Sequence, residues 1–493
     1  MNDFFKNKWT IPVLLGFILL VGTFLRVPEL YKTDLWYDEA FTGITVRQSW
    51  KEMMAVIKQD KNHPPIYYSL VKLVTDSTIN TPFTLRLVSF VSGLAAIPMI
   101  FLVIQQFTAL SIEGKKKLGL VAAFVIAVSP FYVTYSGEAR SYAFLFLLML
   151  GSVYFFLKTI KKPYQFTVNM AIWLVSMVVI YFTHYLSILI VSGYVVAYLL
   201  IVLQDNKILD KPNFWTNASW ISIVGFLSTV FIWDRLGIRE AIMKKNLGWI
   251  PEANLSVIPR TIASFLFGVD RQALDLPPTN QLSFPISTEN IGFLFLISAV
   301  VVLVLAYQRA ISIEKKRELL VLSAIGIVPL ALDILVSTLG LFTYVDRYVF
   351  GYSTFFLLLA GYVWWSIIGD EIWRGIALYV VLLGFVVIPN HGKPYTTIIG
   401  AIPKDSVIEQ TVVVDSPLDF LVFKYYLQFD LIYVKTNPAG YSYNWPYIPP
   451  STEKPISTLL SGDYYITRND VNVDTSTWQL KLQTRDFALY SHN

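Results

Sequence analysis

Two adjacent carboxylates, Asp38 and Glu39, stand in the segment Leu35-Trp36-Tyr37-Asp38-Glu39-Ala40. In surroundings of lowered dielectric a carboxylate can act as a base toward a hydroxyl or hold a cation, and a solvated acidic loop is the plainer alternative. A second group lies in Tyr135-Ser136-Gly137-Glu138-Ala139-Arg140-Ser141-Tyr142. A guanidinium forks onto phosphate oxygens, so Arg140 is a natural receptor for a lipid phosphate, against which an ion pair with Glu138 or simple snorkelling must be weighed. His63, in Asn62-His63-Pro64-Pro65, is either a hydrogen-bonding group for a substrate or a helix-start residue. His184, in Thr183-His184-Tyr185, can orient a substrate or join Glu138 at a divalent cation, although residues so scattered lack the short spacing of a zinc motif. Arg347, in Asp346-Arg347-Tyr348, offers a second guanidinium, with an ion pair to Asp346 as the alternative.

The elements that position these residues follow from composition. The chain has 493 residues, 55% hydrophobic, 15% aromatic and 15% charged, with a mean hydropathy of +0.54. Soluble domains carry roughly a quarter charged residues, so this composition indicates an integral membrane protein. The 39 Lys and Arg against 34 Asp and Glu leave a charge of +5, too small a surplus to argue for nucleic acid. With no cysteine there is no disulfide framework, thiolate metal site or cysteine nucleophile.

Apolar runs near the length that spans a bilayer recur about eleven times, at residues 10–25, 83–104, 118–133, 141–157, 166–182, 185–203, 218–233, 290–307, 319–340, 348–368 and 376–390. Short loops rich in Lys and Arg remain cytoplasmic. The clusters at Lys6 and Lys8, Lys115 to Lys117, Lys158 to Lys162, Lys207 and Lys211, and Arg309 to Arg317 all fall on one side. The expected protein is a multi-pass plasma-membrane protein, N-terminus cytoplasmic and C-terminus outside, with Arg140 and Arg347 isolated on the basic-poor face. A transmembrane domain, 1–390, carries outer loops 26–82 and 234–289, and an extracytoplasmic domain occupies 391–493. Within the first loop, Trp50, Met53, Met54 and Ile57 mark an amphipathic helix on the membrane surface, and Pro64-Pro65 starts a second. In the tail, 411–414 and 431–434 read as strands around a helix over 417–428, a βαβ pattern, with more strands at 464–466 and 478–482. Asp333, inside a span, is the feature that a transporter or lipid flippase would claim; a helix-to-helix hydrogen bond is the plainer account.

The order of these features resembles the C-type (GT-C) membrane glycosyltransferases, specifically bacterial and archaeal relatives of protein O-mannosyltransferases and aminoarabinose transferases. The resemblance rests on Trp36-Tyr37-Asp38-Glu39-Ala40, then a surface helix, then His63-Pro64-Pro65, then Ser136 to Tyr142, and covers roughly residues 1–370. It implies the GT-C architecture and an inverting transferase that takes a sugar, mannose by analogy, from a polyprenyl phosphate at the outer membrane face. On that footing Asp38 is the general base and Glu39 assists it, Arg140 and Arg347 hold the departing phosphate, and His63, Glu138, Tyr142, His184 and Tyr348 build the pocket. A divalent cation is an open requirement, with Glu138 and His184 its candidate ligands. Partners would be the undecaprenyl- or dolichyl-linked sugar, membrane lipids, and a glycan, lipid or protein acceptor. Tyr67-Tyr68 replaces the Gly-Lys that follows Pro-Pro in the protein O-mannosyltransferases. Asn62-His63 stands where the aminoarabinose enzymes have a lysine, so neither acceptor is favoured.

Overall fold

A computed structural model describes residues 7–60, 63–162, 165–203, 313–338, 347–368, 394–402, 412–414, 417–427, 431–433, 463–469 and 473–492, with isolated positions 225, 261, 264, 265, 301, 344, 379 and 380. The described helices begin with α1 (Thr10–Leu30), α2 (Tyr37–Arg47), α3 (Trp50–Asp60), α4 (Pro65–Asp76) and α5 (Pro82–Ile104). They continue with α6 (Ile112–Val128), α7 (Pro130–Ser136), α8 (Tyr142–Thr159), α9 (Val168–Tyr181), α10 (Ile188–Leu203), α11 (Ile313–Thr338) and α12 (Ser353–Ile368). The tail adds α13 (Tyr395–Gly400), β1 (Val412–Val414), α14 (Pro417–Leu427), β2 (Leu431–Tyr433), β3 (Tyr464–Arg468), β4 (Trp478–Gln483) and β5 (Phe487–His492).

Among the described residues four helices are long and apolar enough to cross a membrane: Thr10–Leu30, Pro82–Ile104, Tyr142–Thr159 and Lys316–Ser337. The pair α6 and α7, bent by 60°, makes a fifth if it counts as one span, and α9, α10 and the start of α12 are shorter apolar helices. The chain is a helical multi-pass membrane protein. The spans expected at 218–233, 290–307 and 376–390, and the outer loop 234–289, lie outside the described residues apart from isolated positions.

The chain divides into two compact units: Met1–Glu29, Asn62–Tyr67 and Ser89–Pro389 in one; Leu30–Lys61, Tyr68–Val88 and Asn390–Asn493 in the other. Most of the first loop thus groups with the tail, whereas the sequence reading kept 26–82 with the membrane part.

In the first unit α8 packs on α9, and α10 runs along α11. On α1, Val13, Phe17, Leu20 and Phe24 form one exposed apolar stripe of the kind that faces lipid. Its Arg26 is fully buried, however, and donates to the carbonyls of Gly22 (3.0 Å), Ala127 (2.8 Å) and Ile126 (2.8 Å) and to Ser136 Oγ (3.1 Å). The carbonyls of Ile126 and Ala127 are available because the helix breaks: Ser129, ahead of Pro130, is extended (φ −62°, ψ 127°), and Pro130 cannot donate to the ladder. A Cβ on Gly93 of α5 would collide with Ser136 Oγ, so the end of α7 packs closely against α5 as well. Phe131, Tyr132, Tyr135 and Phe350 form an aromatic cluster beside the break, with Phe131 stacked on Phe350 at 4.8 Å. Asp333 is fully buried in α11.

In the second unit the sheet order is β2-β1-β3-β5-β4. Strand β1 pairs in parallel with β2 and β3, while β5 runs antiparallel to β3 and β4. With α14 between β1 and β2, the tail contains the expected βαβ pattern, and β5 is a strand the sequence reading did not include. Asp419, at the start of α14, is buried and accepts hydrogen bonds from the Tyr395 hydroxyl (2.6 Å) and Arg468 Nε (3.3 Å), tying α13 and β3 to the helix. The first-loop segment holds three helices rather than two. Residues 37–47, read as loop, form α2, which packs against α14.

Candidate functional site

Asp38 and Glu39 occupy the first turn of α2, where negative charge complements the unpaired N–H groups of the helix start. They are therefore helix residues, not members of an acidic loop. Successive helical residues point about 100° apart, so the two carboxylates have different surroundings. Both Glu39 oxygens meet Arg86, Oε1 at 2.8 Å from Nε and Oε2 at 2.9 Å from Nη2, and Oε2 also accepts from the Trp36 backbone N–H (3.4 Å). Arg86 donates further to the carbonyl of Asp34 (3.0 Å) and to that of Lys32. The fork matches the carboxylate edge for edge, and both side chains are buried. Glu39 is thereby committed to holding α2 against the segment 32–36. Asp38 is buried, 6% exposed, and its carbonyl accepts from Thr42 Oγ1 (3.1 Å). The tail supports the same segment: Tyr426 OH accepts from Leu35 N (3.0 Å), and Asp34 Oδ1 accepts from Thr396 N (2.8 Å).

The basic residues assemble in the first unit. Arg140, buried in the bend that follows α7, donates from Nη2 to His63 Nε2 at 2.7 Å. A guanidinium only donates, so His63 accepts and its ring proton resides on Nδ1. The Arg140 guanidinium lies 5.9 Å from the centre of the Tyr142 ring. The His184 ring is 6.2 Å from Tyr142 and 5.5 Å from Tyr348, and Arg347 stands 5.5 Å over Tyr348. Glu138 is buried two residues ahead of Arg140, and its carbonyl accepts from Arg140 N at 2.7 Å. His63, Arg140, Tyr142, His184, Arg347 and Tyr348 thus form one cationic and aromatic group. Its chemistry suits an oxyanion flanked by an apolar chain. Among the described residues no three His, Cys, Asp or Glu side chains gather closely enough to hold a metal ion. Asp346 lies outside the described residues.

Burial pushes His184 down to about 3, with the nearby charge of Arg140 adding to the effect. The imidazole is neutral throughout the physiological range, a hydrogen-bonding or packing group rather than a cation. An unfolded histidine titrates near 6.5, so between that value and about 3 the unfolded chain holds a proton that the folded chain does not. The His184 contribution to stability is present above pH 6.5 and is lost as pH falls through that window. Thermal unfolding in detergent at pH 7 and pH 4.5 is expected to show a smaller acid-induced drop for His184→Gln than for the wild type. Equal drops in the two proteins would place the acid sensitivity elsewhere.

Two buried arginines, Arg26 and Arg86, escaped the sequence reading. The signal was present in the apolar stretches around each, because a cation there must find partners.

The sequence profile of the family described as dolichyl-phosphate-mannose-protein mannosyltransferase matches residues 62–233, a stretch that contains His63, Glu138, Arg140 and His184. Over that stretch the chain is similar to a family of the GT-C superfamily. The matched stretch covers about a third of the chain. Comparison with curated proteins finds no match. Among solved structures, ArnT from Cupriavidus metallidurans bound to undecaprenyl phosphate is 12% identical, with 98% of each chain covered and a TM-score of 0.46. The Archaeoglobus fulgidus oligosaccharyltransferase in its apo form is 12% identical, with 85% of this chain and 64% of that one covered and a TM-score of 0.47. Its complex with an inhibitory peptide and a dolichol-phosphate gives 12%, 87%, 64% and 0.46 for the same quantities.

Proposed function

We propose that this protein is an inverting glycosyltransferase of the GT-C kind that moves a sugar, mannose or a close analogue, from a polyprenyl phosphate to an acceptor hydroxyl at the extracytoplasmic face. The observation that carries the reading is the Arg140–His63 pair, both members inside the stretch that matches the mannosyltransferase profile, set among Tyr142, His184, Arg347 and Tyr348. In the proposed step Asp38 takes the proton of the acceptor hydroxyl as its oxygen attacks the anomeric carbon. The bond from that carbon to the phosphate oxygen breaks, and polyprenyl phosphate leaves with its new charge held by Arg140 and Arg347. Because both Glu39 oxygens are engaged by Arg86, the base role falls to Asp38 and Glu39 becomes its positioning residue. Glu138 remains the candidate for orienting the acceptor or holding a divalent cation.

The test is transfer of radiolabelled sugar from a panel of polyprenyl-phosphate sugars by purified protein in detergent, with native lipid extract as acceptor. Incorporation from one donor class identifies the sugar and the carrier. Arg140→Gln is expected to weaken donor affinity by about tenfold to a hundredfold, the worth of a hydrogen bond to a charged group. Tight donor binding by both proteins with no transfer from any donor would count against a transferase and in favour of a lipid transporter.

A further inference from the structure

Arg140 is held at both ends. Its side chain reaches His63, and its carbonyl accepts a hydrogen bond of 2.8 Å from Ser89 Oγ on α5. Ser89 Oγ in turn lies 2.8 Å from the Tyr67 hydroxyl on the first turn of α4. A serine hydroxyl has one proton, and here it is directed to the Arg140 carbonyl, so Tyr67 must donate to Ser89. The hydrogen bonds therefore run one way, from Tyr67 to Ser89 to the Arg140 carbonyl. Tyr67 lies four residues after His63, one turn into the helix that the two prolines start, so the circuit closes on itself: His63, Arg140, Ser89, Tyr67 and back along the backbone to His63. Tyr67 is 1% and Ser89 0% exposed, and in such surroundings successive hydrogen bonds polarise one another.

We propose that Tyr67 and Ser89 are positioning residues for Arg140, fixing the guanidinium where the donor phosphate binds; the inference rests on the proposed role of Arg140. The pair acts on the backbone of the arginine, not on the substrate. Since the phosphate is present in the donor before reaction, displacement of Arg140 acts on donor affinity and KM more than on kcat.

The test compares wild type, Tyr67→Phe, Ser89→Ala, the double variant and Arg140→Gln, each purified in detergent. Binding of undecaprenyl phosphate is measured by titration, KM and kcat by transfer from the active donor, and folding by thermal unfolding. Each single variant is expected to weaken phosphate binding and raise donor KM about five- to tenfold with kcat changed less. In the double variant the loss should be no larger than in Ser89→Ala alone, because Tyr67 acts through Ser89. Additive losses, or unchanged affinity and KM in both single variants while Arg140→Gln binds poorly, would overturn the proposal and leave the role of Arg140 intact. Unchanged binding in Arg140→Gln itself would instead remove the reading beneath it. Tyr67→Phe keeps the ring and removes one oxygen, so it carries the test if the alanine variant does not fold. Unfolding of Tyr67→Phe would also overturn the proposal, by showing that the hydroxyl holds the helices together.

Discussion

Asp38→Asn is expected to lower sugar transfer by about 10²- to 10⁴-fold while the protein remains folded and binds the polyprenyl phosphate as before. The amide has nearly the shape of the carboxylate, but it cannot take the proton of an attacking hydroxyl. Asp38 sits in the first turn of α2, where a neutral acceptor still complements the helix start, so the fold has little reason to change. The measurement is labelled-sugar transfer beside a thermal unfolding curve and a phosphate titration on the same preparation. An asparagine variant that transfers sugar at near the wild-type rate would move the base elsewhere. A variant that loses activity and its unfolding transition together would mark Asp38 as structural.

Arg86→Ala is expected to cost about 3–5 kcal/mol of stability, the usual penalty for leaving one member of a buried ion pair alone. Glu39 would be left at 3% side-chain exposure without the fork that now meets both oxygens, and the carbonyls of Lys32 and Asp34 would lose a donor. Pairing the change with Glu39→Leu should recover much of the loss, since a buried pair replaced by apolar groups is often neutral. Chemical unfolding of the three variants measures both effects. A single-variant loss below about 1 kcal/mol would indicate a solvated pair of the surface kind.

Continuous apolar stretches were the most legible part of this chain. The spans read at 83–104 and 141–157 match α5, Pro82–Ile104, and α8, Tyr142–Thr159, because in a bilayer hydropathy and length alone select a helix. The small tail sheet was legible through its short β-branched and aromatic runs, Val412–Val414 and Tyr464–Arg468. Helix α2 was not, because nearly all of it is buried, Asp38, Glu39, Thr42 and Thr45 included, and a helix buried all round shows no alternation of apolar and polar faces. The cationic residues were legible by type and by their isolation on one side of the charge pattern. The supports were not: Ser89 and Tyr67 behind Arg140, and Arg86 behind Glu39, act through partners far away in sequence, and no local periodicity encodes such pairs.

The buried clamp of Arg26 also sets an order of events during synthesis. The carbonyls of Ile126 and Ala127 follow Arg26 by 100 and 101 residues. At typical elongation rates that interval is roughly 5–20 s. Throughout it, the only hydrogen-bond partner of Arg26 within α1 is the Gly22 carbonyl one turn back, and a guanidinium in hydrocarbon is costly. The first helix therefore stays close to water or to the insertion machinery until the broken helix α6–α7 arrives, and its final seat is taken only then. A ribosome-bound chain that ends before residue 126 should leave Arg26 open to aqueous probes, whereas one extended past 203 should shield it.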